Sequence, residues 1–235
     1  MNDNLLEFIN VCKKYDDKVV LDNISFTVTN GTIITLVGPN GAGKTTIARL
    51  MLGCEKPTSG KIKKANNISF GYVPQKININ TNLPITVKCI LDTLTKKSNQ
   101  NSSAKQMSEK QILDFAQISD IANLDISKLS GGQISRVFLA GCLINKANLI
   151  ILDEPTKELD IIGQNYFYQL LENIKNNFNV TIFIISHDLH TVIKASDHVL
   201  CLNQHLCCYG KPIEQYQDIL DHIGFYKHHH NHTHS

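Results

Sequence analysis

"GPNGAGKTT" (residues 38–46) fits the spacing G-x-x-x-x-G-K-[ST]. That spacing carries weight only where a strand leads in and a helix leads out. Both flanks comply. "TIITLV" (32–37) is β-branched and nearly all apolar, the pattern of a strand buried on both faces. After the loop, Ile47, Ala48, Leu50 and Met51 recur at helical spacing, and Gly53 supplies a stop. Backbone N–H groups in such a loop can wrap a phosphate, and the helix N-terminus adds partial positive charge. Gly38, Gly41 and Gly43 permit close approaches that a side chain would block, and Pro39, Asn40 and Ala42 complete the loop. Lys44 can reach terminal phosphates, the Thr45 hydroxyl suits Mg2+, and Thr46 closes the motif. The bland alternative, a glycine-rich turn with an incidental lysine, does not explain the strand and helix around it.

The rest of the chain fits around this unit. Residues 5–35 read as short strands. Ile24, Phe26 and Val28 alternate with Ser25 and Thr27, as in a half-buried strand, and "TNG" (29–31) marks a turn. Further strands are expected at "ISFGYV" (68–73), "LIIL" (149–152) and "VTIFII" (180–185). Helical patterns separate the later ones, which implies a parallel sheet with right-handed crossovers. From about 86 to 145 no convincing strand occurs. "TVKCILDTL" (86–94) and "EKQILDFAQISDIANL" (109–124) have helical spacing, with polar "TKKSNQNSSAK" (95–105) as a loop between them. Ser108 and Gln111 form a capping-box pattern at the second helix. The expected fold is therefore α/β, with a helical subdomain inserted into the core and no internal repeats.

Residues just beyond the carboxyl ends of parallel strands converge on one crevice. Gln75, Asp153, Glu154 and His187 all take such positions, as does the phosphate loop. Asp153 can hold Mg2+, and Glu154 can polarise an attacking water. A strand ending in acids is common by itself, and a surface Gln or His is bland. Their shared placement beside a phosphate loop is what gives them weight. "LSGGQ" (129–133) lacks a role in that crevice. Ser130, Gly131 and Gly132 open a helix and make a second anion-binding end. Such an end makes sense if it completes another subunit's nucleotide site.

Composition narrows the class. With 42% hydrophobic and 19% charged residues, the chain can build a sizeable core. A net charge of only +2 argues against a nucleic-acid binder. Seven cysteines, an odd number and several in apolar runs, suggest free thiols in a reducing compartment. "MNDNLLEFIN" (1–10) lacks the features of a secretory signal, and no apolar stretch is long enough to span a bilayer. A cytoplasmic protein is expected.

Residues 5–215 resemble the ATP-binding subunit of ABC transporters. The resemblance implies a P-loop NTPase (RecA-like) core with an N-terminal antiparallel β subdomain. The core would comprise residues 1–75 and 146–227, with an α-helical signature subdomain at 76–145 and a His-rich tail at 228–235. "GPNGAGKTT" is then the Walker A loop, Gln75 the Q-loop residue and a further Mg2+ contact, and "LIILDEP" (149–155) the Walker B strand. Ser130, Gly131, Gly132 and Gln133 belong to the signature, Asp160 to the D-loop and His187 to the switch. Tyr15 matches the aromatic that stacks on adenine, although an aromatic near a turn is often only packing. The resemblance implies Mg2+ and ATP, catalysis by Glu154, His187 and Gln75, and a head-to-tail homodimer with each signature facing the other copy's Walker A loop. The D-loop, "KELD" (157–160), departs from the frequent serine–alanine form, and Ser135 replaces a frequent glutamine. These departures bear on dimer contacts and not on the chemistry.

Finer features, "GYVPQKININTNLPITV" (71–87), "SHDLHTVIKASDHVLCLNQHLCCYGKP" (186–212) and "KHHHNHTHS" (227–235), resemble the ATPase of bacterial zinc importers. That resemblance implies a membrane permease, a periplasmic zinc-binding protein and a peripheral position on the cytoplasmic face of the inner membrane. The alternatives are an importer of manganese, iron chelate or another nutrient, and a soluble ABC ATPase outside transport. His228, His229, His230, His232 and His234 form an interrupted run, unlike a purification tag, and can ligate Zn2+. "CLNQHLCCYG" (201–210) carries Cys201, His205, Cys207 and Cys208, a metal-site composition, but reads better as a short hairpin with apolar cysteines.

Overall fold

A computed structural model of the chain describes residues 3–75, 85–95, 108–187 and 195–212. Its elements run β1 (Asn4–Tyr15), β2 (Lys18–Thr29), β3 (Ile33–Val37), α1 (Lys44–Leu52), β4 (Ser59–Lys64) and β5 (Phe70–Val73). They continue with α2 (Val87–Thr95), α3 (Glu109–Phe115), α4 (Gly131–Ile144), β6 (Leu149–Asp153), α5 (Ile161–Phe178), β7 (Thr181–Ser186), β8 (His198–Asn203) and β9 (His205–Gly210). The chain divides into two compact units, residues 1–64 with 185–235, and residues 65–184. The α/β expectation holds.

In the first unit, β1 and β2 form an antiparallel hairpin, and β4 pairs antiparallel on the other side of β1. Phe8 and Phe26 stack at 4.5 Å between ring centroids and are buried, so this sheet has its own apolar face. The strands at the N-terminus are longer than expected, at 12 residues each. The alternation is broken by register shifts along β1, which hides the length from a period-2 reading. Lys-rich β4, "SGKIKK", has one half-buried side chain and was not foreseen. Its Gly60 sits at φ +81°, against the Asn10 carbonyl. A second group of strands places β3 parallel to β8, and β9 antiparallel to β8. The Asp197 carboxylate accepts the Ile33 N–H at 2.7 Å and fixes the start of this pairing.

The second unit pairs β5 parallel with β6, residue Tyr72 opposite Ile151, with β7 next to β6. Every residue of β6 is buried, as its apolar run predicts. Helix α3 begins with the expected capping box: Ser108 Oγ accepts from Gln111 N, and the Gln111 side chain accepts from Ser108 N at 2.7 Å. The helix expected over 109–124 ends early, at Phe115. Gln117 takes a left-handed conformation (φ 57°), which no α-helix continues through. Two short 3-10 turns, Ser119–Ile121 and Ile126–Lys128, carry Ile121 and Ile126 inward, while Leu124 between them stays exposed. Helices α2 and α4 meet where Gly141 leaves room for Leu94.

The expectation of free thiols fails at one pair. Cys201 and Cys208 lie opposite each other in the β8–β9 register, with Cα atoms 5.0 Å apart, and form a disulfide. The antiparallel ladder, invisible in a cysteine count, brings them together. Cys12, Cys54, Cys89, Cys142 and Cys207 are free thiols, as expected. Burial pushes the Cys142 thiol up to about 12, so it behaves as a small apolar group. Among the described residues, no group of three or more His, Cys, Asp or Glu is arranged to hold a metal.

Candidate nucleotide site

The phosphate loop is built largely from backbone. Gly43 caps α1 with φ 100°, and a Cβ there would lie 2.6 Å from Leu21 Cδ2. At Gly38 a Cβ would lie 2.2 Å from the Leu202 carbonyl oxygen. The turn between β8 and β9 thus presses on the loop, and Gln204 N donates to the Ala42 carbonyl at 3.2 Å. Asp22 N in turn donates to the Gln204 carbonyl at 2.8 Å, tying β2 to the same turn. Lys44 is buried, and its Nζ donates to the carbonyls of Gly38 at 2.8 Å and Pro39 at 2.9 Å. The ammonium is therefore held inside the loop by loop carbonyls. Asn40, Gly41 and Thr45 are exposed, whereas Ala42 and Thr46 are buried. Behind them Ile47, Ala48, Leu50 and Met51 anchor α1 in the core. The Gly53 N–H closes the helix, accepted by the Arg49 and Leu50 carbonyls.

Also in the first unit, His187 follows β7 with its side chain exposed. Tyr15 ends β1 at 37% exposure, and its hydroxyl donates to the Glu55 carboxylate.

The second unit carries the carboxylates. Asp153 ends β6 and is buried, accepting a hydrogen bond from Tyr72 OH at 3.3 Å. Glu154 is the next residue and takes φ 48°, a left-handed conformation costly for a residue with a Cβ. Its Oε2 accepts from Gln75 Nε2 at 2.5 Å and lies 3.4 Å from Lys157 Nζ. Gln75 and Glu154, 79 positions apart in the chain, are thus brought into direct contact. The parallel pairing of β5 with β6 accounts for it, because both residues follow paired strand ends.

The signature residues open α4. Ser130 Oγ accepts from Gln133 N at 3.3 Å, and Gln133 Oε1 accepts from Ser130 N at 2.9 Å, a second capping box. A Cβ on Gly131 would meet the Glu158 carboxylate, and one on Gly132 would meet the Leu159 side chain. The segment 157–160 thus lies close over the helix start, and its side chains would have to shift to admit a Cβ at either glycine. Asp160 caps α5, its Oδ1 accepting from Gly163 N at 2.8 Å. Sequence reasoning missed Tyr72, Lys157, Glu158, Leu202 and Gln204, all neighbours of recognised motifs. Only the capping box at Ser130–Gln133 had a signal, the same S-x-x-Q pattern recognised at Ser108. The tail histidines 228, 229, 230, 232 and 234 lie outside the described residues.

A strand–loop–helix phosphate cradle and a buried strand ending in Asp153–Glu154 together define a P-loop nucleoside triphosphatase. The family model described as ABC transporter matches residues 21–157. The chain is 49% identical to the zinc import ATP-binding protein ZnuC of Rickettsia conorii, over the full length of both. It is 38% identical to the protein of that name from Buchnera aphidicola of Acyrthosiphon pisum, covering 98% of this chain and 100% of that one. Among solved structures it resembles CbiO1 of Clostridium perfringens, part of an ABC transporter complex, with TM-score 0.79 and 23% identity over 96% of each chain. The chain belongs to the ABC transporter family, as an ATP-binding, ATP-hydrolysing subunit. The fold also matches the dimeric structure of MJ0796, a bacterial ABC transporter cassette, with TM-score 0.73 and 24% identity over 88% of this chain and 98% of that one. Among the described residues, no helix is long and apolar enough to cross a membrane.

Proposed function

We propose that this chain is the ATPase of a zinc importer. It would sit on the cytoplasmic face of the inner membrane, with zinc delivered to the permease by a periplasmic binding protein. Full-length similarity to zinc import proteins at 38–49% identity supports the cargo. The hydrolytic reading rests on one observation: the Glu154 carboxylate is held in a left-handed turn by Gln75 at the end of β6.

In this reading, the backbone of residues 38–46 surrounds the β- and γ-phosphates and Lys44 meets their charge. Thr45, Gln75 and Asp153 would each offer an oxygen to Mg2+, the donor type that ion prefers; the ion would neutralise charge developing on the phosphates. Glu154 orients and polarises the attacking water, Gln75 positions Glu154, and His187 contributes to the γ-phosphate environment. Tyr15 carries the adenine. Ser130, Gly131, Gly132 and Gln133 serve the site of a second copy in a head-to-tail dimer, with Asp160 at the junction. The helical segment 76–145 forms the signature subdomain, between the core portions 1–75 and 146–227. The tail, residues 228–235, binds Zn2+ reversibly.

Uptake of labelled zinc into cells with and without this chain tests the proposal, with manganese and an iron chelate as competitors. Zinc uptake that requires the chain and resists both competitors is expected. Chain-dependent uptake of manganese or iron chelate with zinc unaffected would move the cargo to the alternative.

A further inference from the structure

Tyr15 is the last residue of β1 and more than a third exposed. A ring so placed would ordinarily sample several rotamers, and ordering it on binding would cost free energy. Here it is held. Its hydroxyl donates to Glu55, whose Oε2 lies 3.1 Å from Lys13 Nζ and whose Oε1 lies 3.4 Å from Arg49 Nη1. The Lys13 ammonium lies over the Tyr15 ring, 4.8 Å from its centroid, and donates to the Lys56 carbonyl at 3.1 Å. Backbone bonds fix the carrier of Glu55. Cys54 N donates to the Arg49 carbonyl at 2.9 Å, and Thr58 N to the Cys12 carbonyl at 2.9 Å. Thr58 Oγ1 also accepts from Lys14 N at 3.0 Å. The segment that leaves α1, the helix opened by Lys44, is thus strapped to β1 and grips the aromatic at its end.

We propose that Glu55 is a positioning residue for nucleotide binding: it holds the Tyr15 ring in place so that a purine base stacks on the face opposite Lys13. The inference rests on the reading of Tyr15 as the adenine platform. A phenylalanine would offer the same ring without the hydroxyl anchor, so the role belongs to the Tyr15–Glu55 pair. The Tyr15 hydrogen bond, followed by that from Lys13, also holds the Glu55 carboxyl below the usual carboxylate range, so it stays ionised further into acid.

The test measures ATP and inorganic tripolyphosphate binding to the full chain, with KM and kcat alongside. The variants are Tyr15→Ala, Tyr15→Phe, Glu55→Ala, Glu55→Gln and the double Tyr15→Phe/Glu55→Ala. Tyr15→Ala should weaken ATP about tenfold, the scale of base–aromatic stacking, and leave tripolyphosphate unchanged. Glu55→Ala and Tyr15→Phe should each weaken ATP about threefold to fivefold, on the scale of one ordinary net hydrogen bond, with the effect on KM rather than kcat. The double variant should be no worse than either single one, and Glu55→Gln, which keeps an acceptor, should recover most of the affinity. If Tyr15→Ala binds ATP normally, the platform reading falls and the inference with it. If Tyr15→Ala weakens ATP but Tyr15→Phe and Glu55→Ala do not, or their effects add, Glu55 has no positioning role and Tyr15 keeps its own. Thermal melts identify any unfolded variant; should Glu55→Ala be one, normal ATP affinity in Tyr15→Phe is enough to overturn the proposal.

Discussion

The phosphate loop and the end of β6 are held in different ways. The loop is fixed largely through main chain: Gly38 against the Leu202 carbonyl, Ala42 bonded to Gln204, and the Lys44 ammonium on the loop's own carbonyls. The end of β6 is fixed by side chains: Tyr72 on Asp153, and Gln75 and Lys157 on Glu154. A site of backbone amides has little freedom to vary, so it demands glycine at set positions and leaves a recognisable spacing. A site of side-chain pairs leaves two isolated acids in the sequence and nothing to name their partners. The first arrangement suits a group that must cradle phosphates in one geometry. The second leaves a carboxylate that can exchange partners through a reaction cycle.

The difference can be broken at either end. Gly38→Ala should do the most damage, because the obstructing Leu202 carbonyl belongs to a paired strand and cannot swing aside. A loss of about 2–3 kcal/mol of stability, on the scale of overpacking a core, is expected together with loss of ATP binding. Chemical denaturation and equilibrium nucleotide binding read the two effects. Unchanged stability would mean that the turn between β8 and β9 yields easily and the loop is less constrained than its contacts suggest.

Lys157→Ala should act only on the side-chain half. Its ammonium is 49% exposed while Glu154 is 9% exposed, so solvent screens the pair from one side. Pairs of this kind contribute about 0.5 kcal/mol, so a twofold to threefold fall in kcat is expected, with ATP affinity unchanged. Steady-state ATPase assays decide it. A fall of a hundredfold would give Lys157 a direct part in catalysis, in place of holding Glu154.

Deleting residues 228–235 should have the smallest effect. It should leave metal-free ATPase activity nearly unchanged and alter only its response to added zinc. ATPase rate against free zinc, for full and shortened chains in the assembled transporter, reads this. Identical zinc responses would remove a regulatory role for the tail.

Legibility in the sequence followed the same division. Gly38, Gly43 and Lys44 announced the loop because backbone geometry restricts which residues can stand there. The buried strands β3 and β6 were plain for a related reason, since full burial forces an unbroken apolar run. The capping box at Ser108–Gln111 was visible because both partners lie three residues apart. What remained hidden depends on distant chain segments. The Cys201–Cys208 bond follows from a strand register, and the early end of α3 follows from a left-handed Gln117 that helical periodicity does not reveal. Gln133 is placed in the signature by resemblance alone, and that its side chain closes a box with Ser130 required the structure. Glu154 was picked out as an acid after a strand; its hold by Gln75 and its left-handed backbone required the fold.

Glu154→Gln separates holding nucleotide from hydrolysing it, and so bears most directly on the proposed division between the two regions. The amide retains the size of the carboxylate and loses its charge. Measured by equilibrium binding, single-turnover hydrolysis and size-exclusion chromatography in ATP, the variant should bind ATP normally. Its hydrolysis should fall at least about a hundredfold, the scale of losing a general base, and ATP should hold two chains together as a stable dimer. Hydrolysis at the normal rate, or a chain that stays monomeric at saturating ATP, would contradict the role given to Glu154.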